Sequence, residues 1–333
     1  MTEDPAWQDQ GQEPALTRHL HSLWAAMVCS GLVACGGGGS SDAPPVTGNA
    51  PAPVAAPTPA PTPTPSPTPS PSPSPSTSPS PGPAPLPTTA PAGYTLVWSD
   101  DFSVDGLPDA ARWDYDTVRN RDGWYNNERQ YYARARPENA VVSNGRLRIT
   151  ARLEELRSAT DWGGQRYTSA RLLTRGKADW TYGFFEVRAK LPCGRGTWPA
   201  IWTLGSRGVW PDDGEIDIME QVGSNPSRVF GTVHTRQSGG PGTGAAVTLN
   251  DACTTFHNYQ LTWTPDAITI GVDGLNYYRY ANPRAGLTTW PFDAPQYLLL
   301  NIAIGGNLGG SVDDSIFPVT LEIDHVRVYQ LPR

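Results

Sequence analysis

Three carboxylates within six residues are the strongest chemical feature of the sequence: Glu215, Asp217 and Glu220, in Gly214-Glu215-Ile216-Asp217-Ile218-Met219-Glu220. Ile216 and Ile218 alternate with Glu215 and Asp217, the period-two pattern of a strand with one face in a core. A regular strand would turn Met219 outward with the acids and bury Glu220. One extra residue near Met219, a β-bulge, returns Glu220 to the face of the other two. Neighbouring carboxylates raise one another's pKa, so a set on one face is expected to hold a proton near neutral pH. Such a set suits glycoside hydrolysis, in which one carboxylate attacks the anomeric carbon and a second carboxyl protonates the leaving oxygen. The acids alone equally suit a calcium ligand cluster or a solvated sheet edge.

The elements around this stretch read as strands. Arg146 to Ala151 and Phe185 to Leu191 alternate cleanly, and Ile268 to Val272 runs into Asp273-Gly274, a hairpin signal, before Tyr277 to Tyr280. Leu298 to Ile304 is nearly continuous in apolar residues, as a strand covered on both faces should be. Leu321 to Tyr329 shifts parity between Ile323 and Val326, which predicts a second bulge. No helical period runs longer than about ten residues. Short strands with Gly and Pro punctuation predict an all-β jelly-roll sandwich of two antiparallel sheets with a concave cleft.

Ten of the twelve tryptophans fall in this region. Trp98, Trp113 and Trp263 sit in apolar alternation and read as core. Trp198, Trp202 and Trp210 crowd the approach to the acidic strand, flanked by Gly and Pro. Pyranose C–H faces stack on flat aromatic surfaces, so these three are candidate sugar platforms, with core or loop packing as the alternative. Other chemistries lack support. His234, His257 and His325 follow no metal-ligand spacing, and no nucleophile elbow or phosphate-cradling glycine loop is present.

Composition divides the 333-residue chain. From Ala43 to Pro91 there is no charged residue, and Pro alternates with Thr, Ser and Ala. Such a segment buries no core and favours polyproline II, a spacer reaching on the order of 150 Å at about 3.1 Å per residue. Upstream, His21 to Ala34 is mostly apolar but short for a membrane span, and it suits an export signal. It ends in Leu32-Val33-Ala34-Cys35 before a glycine run, which resembles a bacterial lipobox with Cys35 as the lipidated residue. The acidic, polar stretch Met1 to Thr17 departs from a basic signal start. The expected organisation is an export signal over residues 1–35, a linker over 36–91 and one catalytic domain over 92–333. In an exported domain Cys193 and Cys253 could pair, with two isolated thiols as the alternative. The formal charge of −7, without a basic run, speaks against nucleic acid or an anionic membrane as partner.

Taken together, the blocks of residues 92–333 resemble glycoside hydrolase family 16, of the laminarinase (endo-β-1,3-glucanase) type. The resemblance runs from Trp98-Ser99-Asp100-Asp101-Phe102 through Asn126-Asn127-Glu128, Thr168 to Leu172, the tryptophan run and the acidic strand. It continues through Gly231-Thr232-Val233-His234 and Asn301 to Gly306, and ends at Asp324 to Tyr329. It implies Glu215 as nucleophile, Glu220 as acid and base, and Asp217 between them as a carboxyl that shares a proton and tunes both. It also implies substrate contacts from Asn127, Arg171, Trp198, Trp202, Trp210 and His234. A structural calcium held by Asp101, the Gly145 carbonyl and Asp324 is a further implication, although Asp101 stands where the family more often has Glu.

The resemblance leads to a retaining endo-β-1,3-glucanase that needs no cofactor for catalysis. A β-glucan polysaccharide is its expected partner, the chain is expected to be monomeric, and only a lipid anchor would reach a membrane. Agarase, mixed-linkage glucanase and transglycosylase activities share the family. A non-catalytic glucan-binding module would be expected to have lost one of the glutamates, and both are present.

Overall fold

The computed structural model describes residues 90–332. The export signal, Cys35 and nearly all of the Pro-rich linker lie outside the described residues. In chain order the strands are β1 (Thr95–Asp100), β2 (Asp114–Tyr115), β3 (Gln130–Tyr132), β4 (Ala140–Val142), β5 (Leu147–Leu153), β6 (Tyr167–Ser169), β7 (Arg171–Leu173), β8 (Gly183–Lys190) and β9 (Thr197–Gly205). They continue as β10 (Glu215–Gln221), β11 (Arg228–His234), β12 (Thr243–Thr248), β13 (His257–Trp263), β14 (Ala267–Val272), β15 (Leu275–Ala281), β16 (Gln296–Ile304) and β17 (Val319–Gln330). Among the described residues the only α-helical segment is the single turn Gly306–Gly309.

The strands form two sheets. One has seven strands in the order β12-β11-β10-β9-β16-β7-β2, and the other has ten, built on β15-β14-β13-β8-β17-β5-β6-β3 with β1 on β17 and β4 on β5. Apolar residues of alternating parity fill the space between them. Leu147, Ile149, Val187, Leu261 and Val328 from the larger sheet meet Ile201, Ile216, Leu298, Leu300 and Ile302 from the smaller. Each such side chain contributes roughly 1.5–3 kcal/mol through burial. Trp113 and Trp263 are nearly or fully buried in that core, as their alternation predicts.

Both expected bulges are present. Along β10 the register slips between Asp217 and Met219 against β9, and between Asp217 and Glu220 against β11. Ile218 and Met219 are consequently both buried. Along β17 the register slips between Ile323 and His325 against β8. The β14–β15 hairpin turns at Asp273 (φ 50°) and Gly274 (φ 82°), the paired positive φ angles of a type I′ turn.

One pairing departs from a purely antiparallel sandwich: β3 and β6 are parallel. The β4–β5 hairpin reverses the chain and β6 reverses it again, so β6 runs as β3 does. The disulfide Cys193–Cys253 joins the segment after β8 to the one before β13, with Cα atoms 5.7 Å apart. The two strands are neighbours in the larger sheet, so their ends bring the cysteines together.

Candidate active site

The site occupies the outer face of the seven-stranded sheet, where cross-strand register decides which side chains meet. Glu215 lies opposite His234 and Leu204, Asp217 opposite Thr232 and Trp202, and Glu220 opposite Phe230 and Ala200. On the other side of β9, Ala200 faces Asn301 of β16, which in turn faces Arg171 of β7. Residues directly opposite share a face. The three acids, Trp198, Trp202, His234, Asn301 and Arg171 therefore stand on one surface. The bulge is what places Glu220 there.

Each acid has its own partner. Trp198 Nε1 donates to Glu220 Oε1 at 2.8 Å, and Trp210 Nε1 donates to Glu215 Oε2 at 2.5 Å. His234 Nε2 stands 3.1 Å from Asp217 Oδ2, and the imidazole packs against Trp210 with ring centroids 6.1 Å apart. Glu220 and Asp217 are buried, whereas Glu215 is half-exposed.

These surroundings set the ionisation. Burial, with the Glu215 and Glu128 charges adding to it, pushes the Glu220 carboxyl up to about 7, against the opposing pull of the Trp198 N–H. Burial, then the charges of Glu215 and Glu220, hold the Asp217 carboxyl well above the usual carboxylate range. Burial opposes a charge on His234, but the Asp217 hydrogen bond and the nearby carboxylates outweigh it and push the imidazole up to about 10. The Asp217–His234 pair thus retains a proton at neutral pH, and Glu220 titrates where a general acid is most effective.

Glu215, Asp217 and His234 bring two carboxylate oxygens and a ring nitrogen within 4.8 Å of one another, a donor set that could in principle hold a cation. Here the imidazole is engaged by Asp217 and Glu215 by the Trp210 indole.

The aromatic floor has its own support. Leu173, Leu204, Tyr297 and Leu299 form a small apolar cluster beneath Trp202 and Trp210, separate from the main core. Trp202 Nε1 donates to Asn301 Oδ1 at 2.8 Å, and Asn301 Nδ2 donates to the Tyr132 hydroxyl at 3.0 Å. Both indoles are partly exposed, as a sugar platform must be.

The remaining expected contacts separate. Asn127 lies exposed on the turn Tyr125–Asn127 at φ 58°, donating to Asn307 Oδ1 at 2.8 Å across to the helical turn. Arg171 stands on this sheet face but is covered. Its guanidinium is buried behind the aromatic wall, 4.6 Å from the Trp202 ring centroid and 5.3 Å from that of Trp124, and its Nε stands 3.2 Å from Asp116. It supports the wall through cation–π contact.

Two residues escape the sequence reading. Asn301, which fixes Trp202, is the polar interruption in the apolar run of β16, and that interruption was the available signal. Glu128 accepts from Gln130 Nε2 at 2.8 Å, and its charge reaches Glu220. Nothing in its local sequence separates that role from a surface ion pair.

The positions implied for calcium lie on the other sheet. β5 pairs with Val319–Ile323 and β1 with Val326–Gln330, so Asp324 sits at their junction, near Asp101 and the β4–β5 turn that holds Gly145. Asp101 accepts two hydrogen bonds from Arg327, at 3.0 and 2.8 Å, and Asp324 accepts one from Arg188 at 3.1 Å with His325 Nδ1 at 3.5 Å. Both carboxylates are paired with arginines of the chain, so a calcium ion held here would compete with Arg327 and Arg188.

A two-sheet sandwich with paired glutamates and half-exposed tryptophans on one outer sheet face defines a carbohydrate-cleaving enzyme class. The chain belongs to glycosyl hydrolases family 16, whose family model matches residues 127–316, and it is a glycoside hydrolase. It is 51% identical over 252 residues to a beta-glucanase of Rhodothermus marinus, covering 71% of this chain and 85% of that protein. The solved structure of SCLam, a non-specific endo-β-1,3(4)-glucanase, is 52% identical, with a TM-score of 0.71 over 74% of this chain and 95% of that one. A glucan endo-1,3-beta-glucosidase A1 of Niallia circulans is 35% identical over 72% of this chain, which spans only 38% of that longer protein.

Proposed function

We propose that the protein hydrolyses internal β-1,3-glucosidic bonds of laminarin-type β-glucans with retention of anomeric configuration. The observation that carries this reading is the bulge at Met219, which sets Glu220 on the face of Glu215 with a pKa near 7. Glu215, aligned by the Trp210 indole, attacks the anomeric carbon from one side of the ring. Glu220 delivers its proton to the glycosidic oxygen, so the reducing-end fragment leaves as a neutral alcohol. In the second step Glu220, now a carboxylate, takes a proton from water, and the hydroxide oxygen displaces Glu215 from the sugar. Asp217, sharing a proton with His234, lies between the two and limits the negative charge they must bear together. Trp202 and Trp210, both partly exposed, provide the flat surfaces on which the sugars stack, while Trp198, which is buried, holds Glu220 instead of serving as the expected platform.

The similarity to SCLam favours a second reading at the level of linkage, in which β-1,4 bonds of mixed-linkage glucans are also cleaved. Product analysis separates the readings. Laminarin, lichenan, agarose and xyloglucan are offered separately, and the anomer formed first is followed by NMR. Short oligosaccharides from laminarin, appearing as the β-anomer, support the first reading. Release from lichenan as well adds the second, and products from agarose alone would move the substrate to a galactan.

We also infer export with lipidation at Cys35, from the apolar run ending at Cys35 and the uncharged linker behind it. A Cys35→Ser variant that still fractionates with membranes would remove this inference.

A further inference from the structure

We propose that the outer face of the ten-stranded sheet carries a second, non-catalytic site for an anionic polysaccharide, built on Arg146, Arg148, Arg188 and Lys190. Strand register creates it. Glu322 of β17 faces Arg148 of β5 on one side and Lys190 of β8 on the other. Arg146 and Arg148 reach its Oε2 at 3.6 and 3.5 Å, and Lys190 reaches its Oε1 at 2.5 Å. Arg188 pairs with Asp324 at 3.1 Å. The Phe256 ring stands beside them, with Arg146, Arg188 and Lys190 at 4.7, 4.9 and 5.5 Å from its centroid.

Four cations therefore share two carboxylates, in a chain whose formal charge is −7. A carboxylate offers few acceptor sites, whereas each guanidinium presents five donors. Glu322 is shared among three cations, closely by Lys190 and at 3.5–3.6 Å by the two arginines, and Arg148 Nε is buried without a hydrogen-bond partner. Mutual repulsion of the cations is offset by one aromatic ring and two acids, and an incoming anion relieves it further. All four side chains remain between 20% and 40% exposed, which leaves donors facing outward.

The convergence selects the ligand. Arg148 and Lys190 approach from either side of β17 and meet at the one Glu322 carboxylate, so their charged ends form a single cationic cluster rather than two separate points. Such a cluster suits an acidic group of an extended sugar chain, with guanidinium forks suited to bidentate capture of its oxygens. The face is opposite to the one that carries Glu215 and Glu220. A polymer bound here leaves hydrolysis free and holds the enzyme in a matrix where acidic and neutral chains mix.

The test is gel electrophoresis of the full chain at low salt, in gels containing hyaluronan, which bears a carboxylate on alternate sugars. Neutral dextran and polyphosphate gels serve as comparisons. Hyaluronan is expected to slow the protein and dextran is not. The double variant Arg148→Ser, Lys190→Ser is expected to bind about tenfold more weakly while hydrolysing laminarin at an unchanged rate. If that variant fails to fold, Arg146→Gln, which leaves Lys190 and Arg148 on Glu322, is expected to weaken binding about threefold. Absence of retardation by hyaluronan, equal retardation of a folded variant, or retardation by polyphosphate alone would overturn the proposal.

Discussion

Trp198 and Glu220 are joined by a hydrogen bond of 2.8 Å between the indole nitrogen and one carboxylate oxygen, across two adjacent strands. The bond favours the ionised carboxylate and so opposes the burial that raises the Glu220 pKa to about 7. A Trp198→Phe variant keeps an aromatic ring and loses the donor. Its Glu220 is then protonated to higher pH. The alkaline limb of kcat/KM, which reports loss of the acid form, is expected to move upward by about one pH unit. An unmoved limb in a pH–rate profile on laminarin would detach Trp198 from the ionisation of Glu220.

Removing the Glu220 charge separates activity from stability. With a folded pKa near 7 against 4.5 for a free glutamate, the ionised side chain destabilises the fold by of order 3 kcal/mol above pH 7. That cost is absent below about pH 4.5 and grows as pH rises to 7. Glu220→Gln is expected to lower turnover of laminarin at least about a thousandfold. At pH 8 the same variant is expected to unfold at a higher temperature than the parent, with the difference vanishing near pH 4. Wild-type turnover in Glu220→Gln, or in Glu215→Gln, would overturn the catalytic assignment.

The Asp217–His234 pair makes the same direction of pH dependence visible. Both groups have folded pKa values raised above their free values, so both bind protons more tightly in the folded state. The stability that His234 contributes is complete below about pH 6.5 and is lost as pH rises towards 10. His234→Phe removes the imidazole that stands 3.1 Å from the buried Asp217 Oδ2 and is expected to cost about 1–3 kcal/mol at neutral pH. Denaturant unfolding across this pH range measures it, and an unchanged midpoint would mean that Asp217 finds another partner.

Asn301 governs the platform rather than the chemistry. Its side chain fixes Trp202 from one side and Tyr132 from the other. Asn301→Ala frees the indole to rotate, and is expected to raise KM for laminarin oligosaccharides about three- to tenfold while kcat changes less than about twofold. An equal fall in kcat would show that Asn301 acts on the acids as well.

The strand that carries the acids was legible because its alternation breaks at one residue, and a break that strands three carboxylates has one local remedy, the bulge. The β17 bulge was legible for the same reason, as was the Asp273-Gly274 turn from its residue types. Arg171 was not. Its burial behind Trp202 follows from β7 pairing with β16 and β16 with β9, contacts between segments about a hundred residues apart that no local pattern encodes. The arginine partners of the calcium positions were hidden in the same way: Asp101 and Asp324 are acids in sequence, but Arg327 and Arg188 reach them only once β1, β8 and β17 lie side by side. The parallel pairing of β3 with β6 likewise depends on the chain reversals between them.

The Cys193–Cys253 bond makes the last expectation, and it concerns the unfolded chain as much as the folded one. The cysteines are 60 residues apart in sequence, so the cross-link removes a large share of the conformations open to that loop when unfolded. A loop of this length is worth about 4 kcal/mol in the chain-entropy account, and measured losses are commonly about 2–5 kcal/mol. Gln221, at the end of the acidic strand, places its amide 3.7 Å from Cys253 Sγ, so the bond lies next to the strand that carries the acids. Cys253→Ala is therefore expected to lower unfolding stability by about 2–4 kcal/mol while the folded variant retains laminarin hydrolysis at low temperature. Urea unfolding with and without reductant measures the loss. Equal midpoints under the two conditions would mean that the thiols stay unlinked in solution.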